Sequence, residues 1–196
     1  MKLIKTPLDP EEIKKLRVND EIEITGKIYT ARDAAHKMLL ELREKGEKSP
    51  LPLGDYPCFH CGPVMKKEKE GWKVVSAGPT TSARMEIFED EFMKVFGTKV
   101  FVGKGGMGEK TLNALKEYGG IYAQYTGGAG SLMADSVKRV ENVFYLDELG
   151  IPEAVWLFEV ERFGPLVVTM DSHGFSLHKE VAKKVAENLK RIKSNL

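Results

Sequence analysis

The stretch Gly78-Pro79-Thr80-Thr81-Ser82-Ala83-Arg84-Met85 constrains the fold of this chain more than any other. An apolar run from Trp72 to Ala77 precedes it and reads as a strand. Met85, Phe88, Phe92, Val95 and Phe96 follow at spacings of three and four, the period of a helix face. Gly97 stands where a left-handed residue would end that helix. The stretch is therefore a strand-to-helix turn, and one of its hydroxyl residues is expected to cap the helix. Backbone N–H groups without intrahelical partners gather at such an end and suit an anion. Arg84 in the first turn opposes the helix dipole. Two readings follow. Arg84 leans away to a surface carboxylate, or it joins the hydroxyls and N–H groups in a site for a carboxylate or phosphate.

Three more stretches repeat the pattern of strand, loop and helix. Residues 20–29 alternate around Gly26 and read as a strand with a turn or bulge. Arg32 and His36 then open a helix whose apolar stripe is Ala35, Met38, Leu39 and Leu42. Being four apart, Arg32 and His36 share one edge of that stripe. His36 is either a packed or surface histidine or a site residue. Residues 99–102 read as a buried strand and lead into Gly103-Lys104-Gly105-Gly106-Met107-Gly108. That loop matches GxGxxG literally. No acidic residue stands about 20 positions on, where a ribose partner belongs; Asp135 comes too late. It also nearly matches a P-loop, with Glu109 where the lysine should be. What remains is a glycine loop that brings Lys104 and backbone N–H groups to a strand end. Residues 121–125 form another strand before the turn Thr126-Gly127-Gly128-Ala129-Gly130-Ser131.

Elsewhere, Asp9-Pro10-Glu11-Glu12 has the order of a helix start. Residues 45–54 read as loop, 56–65 as strand and turn, and 66–71 as a charged hairpin-like connection. Residues 143–146, 155–160 and 166–170 read as separate strands. The adjacent residues Asp171, Ser172 and His173 cannot adopt triad geometry and read as a turn. Leu177, Val181, Val185, Leu189 and Ile192 mark a C-terminal amphipathic helix.

Composition narrows the function classes. At 196 residues the chain suits one domain, 1–196, with its own core. A net charge of +1 gives no global field toward nucleic acid or membrane. No stretch nears the roughly 18 apolar residues of a membrane span, and the N-terminus is too polar for a signal peptide, so a cytoplasmic protein is expected. Abundant Lys and Glu with Gln124 as the single glutamine lean toward a thermophilic source. The two cysteines, Cys58 and Cys61, flank His60 in a CxxC. Metal or redox chemistry would fit that spacing. A closed zinc or iron–sulfur site needs about four ligands and there is no second CxxC, so buried free thiols are the preferred reading.

Taken together, residues 26–36, 78–85, 102–108, Gly150-Ile151-Pro152-Glu153-Ala154-Val155-Trp156 and Phe163-Gly164-Pro165-Leu166 resemble the β subunit of the iron–sulfur hydro-lyases. These are the class I, two-subunit fumarate hydratases and L-tartrate dehydratases. The resemblance spans nearly the whole chain. It implies an α/β fold of the swivelling β/β/α type. It implies a partner α subunit that holds a [4Fe–4S] cluster through three cysteines, with one iron open, and assembly of αβ units into a larger oligomer. It implies that Arg32, Arg84 and Lys104 hold the carboxylates of a small dicarboxylate. Thr80 matches the family's threonine base, and His36 matches a histidine treated as an active-site residue. Fumarate hydration to L-malate is the expected reaction, with tartrate dehydration as the alternative. A nucleotide-binding module built on residues 103–108, or a carboxylate-binding subunit without catalysis, are the other readings.

Overall fold

Side chains alternate across a strand, so a strand covered on both faces must be apolar throughout. Val100, Phe101 and Val102 are all fully buried, as are Ile121, Tyr122 and Ala123. In the computed structural model, which describes residues 1–194, these strands lie at the centre of a seven-stranded mixed sheet. The chain opens with β1 (Lys2–Lys5), α1 (Pro10–Lys14), β2 (Glu21–Thr30) and α2 (Asp33–Glu44). Then come β3 (Cys58–Phe59), the hairpin β4 (Val64–Glu68) and β5 (Gly71–Ser76), and α3 (Glu89–Phe96). Next are β6 (Val100–Gly103), α4 (Glu109–Tyr118), β7 (Ile121–Gln124) and α5 (Gly130–Asp135). The last elements are β8 (Val137–Phe144), α6 (Leu146–Leu149), β9 (Val155–Met170) and α7 (Leu177–Ser194).

The strand order is β1-β2-β3-β6-β7-β9-β8, and β2 pairs with β9 as well. That extra pairing closes β2, β3, β6, β7 and β9 into a barrel-like ring. The pairs from β1 through β7 are parallel, and β9 runs antiparallel to β2, β7 and β8. Alternation then sorts the core into two clusters. Phe59, Val100, Val102, Ile121 and Ala123 belong to one, with Trp156 and Phe158. Cys58, Phe101 and Tyr122 belong to the other, under Leu39, Phe92 and Leu115 of the helices. The parallel strands all end on one side, where their loops meet.

Asp9 caps α1 as expected, its side chain accepting from the Glu11 N–H at 2.9 Å. Gly97 ends α3 with φ 72°. Three expectations need correction. Residues 143–146 are not a separate strand: they fall at the end of β8, which runs Val137–Phe144, and Leu146 already opens α6. The helix after residues 78–82 begins at Glu89, not Met85, because Ser82–Met85 forms a tight 3-10 turn first. Its Ser82 N–H is held by the Lys104 carbonyl at 3.0 Å, which pins the turn to the exit of β6. The strands expected at 155–160 and 166–170 are one strand, β9. Irregular register near Phe163 absorbs the Gly164-Pro165 step without breaking the pairing to β2. The expected C-terminal helix forms as α7, and Val181, Val185, Leu189 and Ile192 of its stripe are all exposed.

Candidate active site

The loops singled out in the sequence meet at the strand ends through backbone hydrogen bonds. The Thr80 N–H donates to the His60 carbonyl at 2.7 Å, and the Lys104 N–H donates to the Thr80 carbonyl at 3.3 Å. Thr81 and Lys104 form a parallel bridge, and Cys61 and Pro79 an antiparallel one. Ala77 donates to the Gly130 carbonyl at 2.9 Å, drawing in the turn before α5. The Lys104 side chain runs over Gly127: a Cβ added there would lie 3.3 Å from Lys104 Cδ. Gly62 admits the Arg32 guanidinium, since a Cβ at Gly62 would meet its Nη1 at 2.5 Å. Arg32, Thr80, Arg84 and Lys104 therefore belong to one neighbourhood built from several loops.

Their electrostatics differ from the simplest expectation. Arg84 forms a two-pronged pair with Asp33, Nε to Oδ1 at 3.0 Å and Nη2 to Oδ2 at 2.5 Å. Arg32 pairs with Glu153 at 3.1 Å, and the other Glu153 oxygen accepts from the Ala34 N–H at the start of α2. The Nε of Arg32 is buried with no acceptor. Lys104, partly exposed, has no carboxylate within ion-pair distance among the described residues. The expected open helix mouth is also altered. The Thr80 and Ser82 N–H groups are taken by backbone carbonyls, and neither Thr81 nor Phe88 caps with its side chain.

His36 is fully buried and does not share a solvent face with the Arg32 guanidinium. Its Nδ1 donates to the Arg32 backbone carbonyl at 2.9 Å, and its ring packs on Phe92 with centroids 4.6 Å apart. Burial pushes its pKa below the usual imidazole range. His60, also buried, is held down to about 3 by desolvation, and Glu89 is pushed up to about 8 by the same cause.

Of the residues beneath the site, Tyr122 and Glu89 were not singled out in the sequence, whereas His60 was noted between the two cysteines and Ser82 among the hydroxyls of the turn. His60 Nδ1 lies 2.9 Å from Ser82 Oγ, and the Tyr122 hydroxyl lies 2.9 Å from the same oxygen. Tyr122 donates to the Gly105 carbonyl at 2.9 Å. This buried chain ties the Thr80 loop to the Lys104 loop. A signal for Glu89 was available: it lies four residues after Met85 and three before Phe92, on the apolar stripe itself. Gly103 is explained here too, because a Cβ would fall 1.8 Å from Ser82 Oγ.

The GxGxxG resemblance has a packing explanation at its far end. Glu86 reaches the mouth of α4, accepting from the Gly108 N–H at 2.7 Å and the Thr111 N–H at 3.1 Å. The protein's own carboxylate thus occupies the position a phosphate would need. The larger clefts lie elsewhere. One of about 420 Å³ is lined by Arg17, Phe175 and Lys184, one of about 400 Å³ by Asp90, Lys110 and Tyr118, and one of about 380 Å³ lies beside Trp72.

A barrel-like mixed α/β sheet whose loops bring cations and a threonine together defines a class, and residues 2–181 match the family described as the fumarase C-terminus. The chain belongs to that family. It is 50% identical over 185 residues to the putative L(+)-tartrate dehydratase subunit beta of Methanocaldococcus jannaschii, covering 94% of this chain and 95% of that one. It is 47% identical over 191 residues to a putative class I fumarate hydratase of Geobacillus stearothermophilus, covering 97% of this chain but 36% of that longer one. With the L(+)-tartrate dehydratase subunit beta of Escherichia coli it shares 41% identity over 188 residues, covering 95% of this chain and 90% of that one.

The iron–sulfur cluster implied by the family does not fit the thiols of this chain. Cys58 and Cys61 are the only cysteines, both fully buried, and they belong to different core clusters. Two cysteines are fewer than the four thiolate ligands such a cluster ordinarily takes. No helix of the described residues is long and apolar enough to cross a membrane.

Proposed function

We propose that this chain is the β subunit of a two-subunit [4Fe–4S] hydro-lyase that interconverts fumarate and L-malate. The observation that supports it best is the meeting of Arg32, Thr80, Arg84 and Lys104 at adjoining loop ends. Two of these cations already hold carboxylates, which is the chemistry a dicarboxylate asks for. In this reading the cluster belongs to a partner α subunit, because two cysteines are too few to hold it. The swivelling β/β/α assignment and an oligomer of αβ units are part of the same reading.

In this reading Arg32, Arg84 and Lys104 bind the two carboxylates and stabilise charge that builds next to one of them. Thr80 takes the proton from the adjacent carbon. A threonine hydroxyl is a weak base, so the nearby cations must stabilise its alkoxide. His36 acts as a positioning group: on the buried face of α2, it fixes the Arg32 backbone through the carbonyl it holds.

The test is reconstitution. The chain alone, even with iron and sulfide supplied, should not hydrate fumarate, whereas the chain with a three-cysteine α partner should. Robust turnover by the lone chain would overturn the proposal. Tartrate dehydration is the second reading, favoured by the names of the M. jannaschii and E. coli relatives, which match this chain over nearly their full lengths. A higher kcat/KM for L-tartrate than for malate in the assembled complex would select it.

A further inference from the structure

Four side chains with metal-binding atoms meet in the helix-side core below the candidate site. His36 comes from α2, Cys58 from β3, His60 from the residue after β3, and Glu89 from the first position of α3. All four are fully buried. Ligand atoms of His36, Cys58 and His60 lie within 4.8 Å of one another. Cys58 Sγ is 3.9 Å from His36 Nε2. Glu89 Oε1 is 3.8 Å from His36 Nε2 and 2.8 Å from His60 Nε2.

The Glu89–His60 contact is short enough for a hydrogen bond, yet His60 Nε2 and both Glu89 oxygens have no hydrogen-bond partner. Leaving a carboxyl group unpartnered in an apolar core is costly. Two ligands of one ion aim at a shared point rather than at each other, which accounts for a close contact with poor alignment. The outward sides of both rings are anchored as metal-bound histidines are. His36 Nδ1 donates to the Arg32 carbonyl, which leaves its Nε2 lone pair free on the cluster side. His60 Nδ1 faces Ser82 Oγ.

We propose that His36, Cys58, His60 and Glu89 form a closed structural zinc site. Two imidazole nitrogens, one thiolate and one carboxylate are the donor set of a borderline-soft dication. On binding, the Cys58 thiol and the Glu89 carboxyl group each release a proton to solvent, and the sulfur and one carboxylate oxygen bond the ion. Thiolate and carboxylate then balance the two positive charges, as an apolar surrounding requires. Metal–ligand bonds of about 2.0–2.3 Å put tetrahedral ligands roughly 3.3–3.7 Å apart. The separations of 3.9 Å from Cys58 Sγ to His36 Nε2, and of 3.8 and 2.8 Å from Glu89 Oε1 to the two imidazole Nε2 atoms, lie around that spacing. The ion would join α2, β3 and α3 and sit behind the His60 carbonyl that holds Thr80. It would take no part in the hydro-lyase chemistry, and the inference does not depend on that chemistry.

The experiment uses the full chain, stripped with a chelator and loaded with Zn²⁺ or Co²⁺. One equivalent of zinc should be retained per chain, and Tm should fall on chelation and recover when zinc returns. The cobalt form should show a thiolate charge-transfer band and intense tetrahedral absorption. Cys58→Ser should remove that band while Cys61→Ser keeps it. Glu89→Gln, the milder variant, should keep the band and weaken zinc binding by about tenfold or more. The proposal is overturned if the folded chain retains no stoichiometric zinc. It is overturned equally if the cobalt band survives Cys58→Ser, or if Cys61→Ser abolishes it.

Discussion

A guanidinium that grips one carboxylate through two nitrogens can exchange it for another of the same shape. Arg84 is already in that posture with Asp33, and the pair is half exposed, so it adds little to stability. Its fork can therefore be handed to a substrate at small cost. Arg84→Lys keeps the charge and loses the fork. In the assembled complex we expect kcat/KM to drop by roughly 2–4 kcal/mol of transition-state stabilisation, with Tm unchanged. Near-wild-type kcat/KM would make Arg84 a structural partner of Asp33 alone. Thr80 faces a different test. Thr80→Ala should abolish solvent-deuterium exchange into malate and Thr80→Ser should retain part of it. Full exchange in Thr80→Ala would remove Thr80 as the proton carrier.

At the scale of elements, the start of α4 shows why a glycine motif misleads. Backbone N–H groups at a helix mouth need an acceptor, and Glu86 from the preceding turn supplies it. Glu86→Ala should destabilise the chain by about 1–2 kcal/mol in denaturant titrations, in the manner of a lost N-cap. An unchanged midpoint would mean that water replaces the carboxylate without loss. Much of this architecture was legible in the sequence. Alternation marks β2, continuous apolar runs mark β6 and β7, a period-3.6 stripe marks α2, and Asp9 and Gly97 mark helix ends, because these are local effects. The loops carrying Arg32, Thr80, Arg84 and Lys104 were legible through their position at strand ends. The rest depends on distant partners. Ser82 turns inward because His60 and Tyr122 await it, which tightens the 3-10 turn and delays α3 to Glu89. His36 reads as a site-edge residue until the ring of Phe92 covers it. Asp33 and Glu153 look like ordinary surface acids until the fold sets them on the two arginines.

For the whole molecule, the long strand β9 has a consequence in time rather than in space. Glu21 pairs with Val167 and Tyr29 with Leu157, so an early strand waits for a late one. Until β9 exists, β2 and β7 are open edges with unpaired backbone groups. Closing so long a loop carries an entropic penalty and slows folding relative to local contacts. A nascent chain leaving the ribosome therefore carries most of its parallel strands before it can complete the ring. A chain ending before Val155 should show no cooperative unfolding transition, and a cooperative melt of that truncation would contradict this order. During synthesis the exposed edges make the half-made chain a client for chaperones, and β9 is the segment whose arrival ends that dependence.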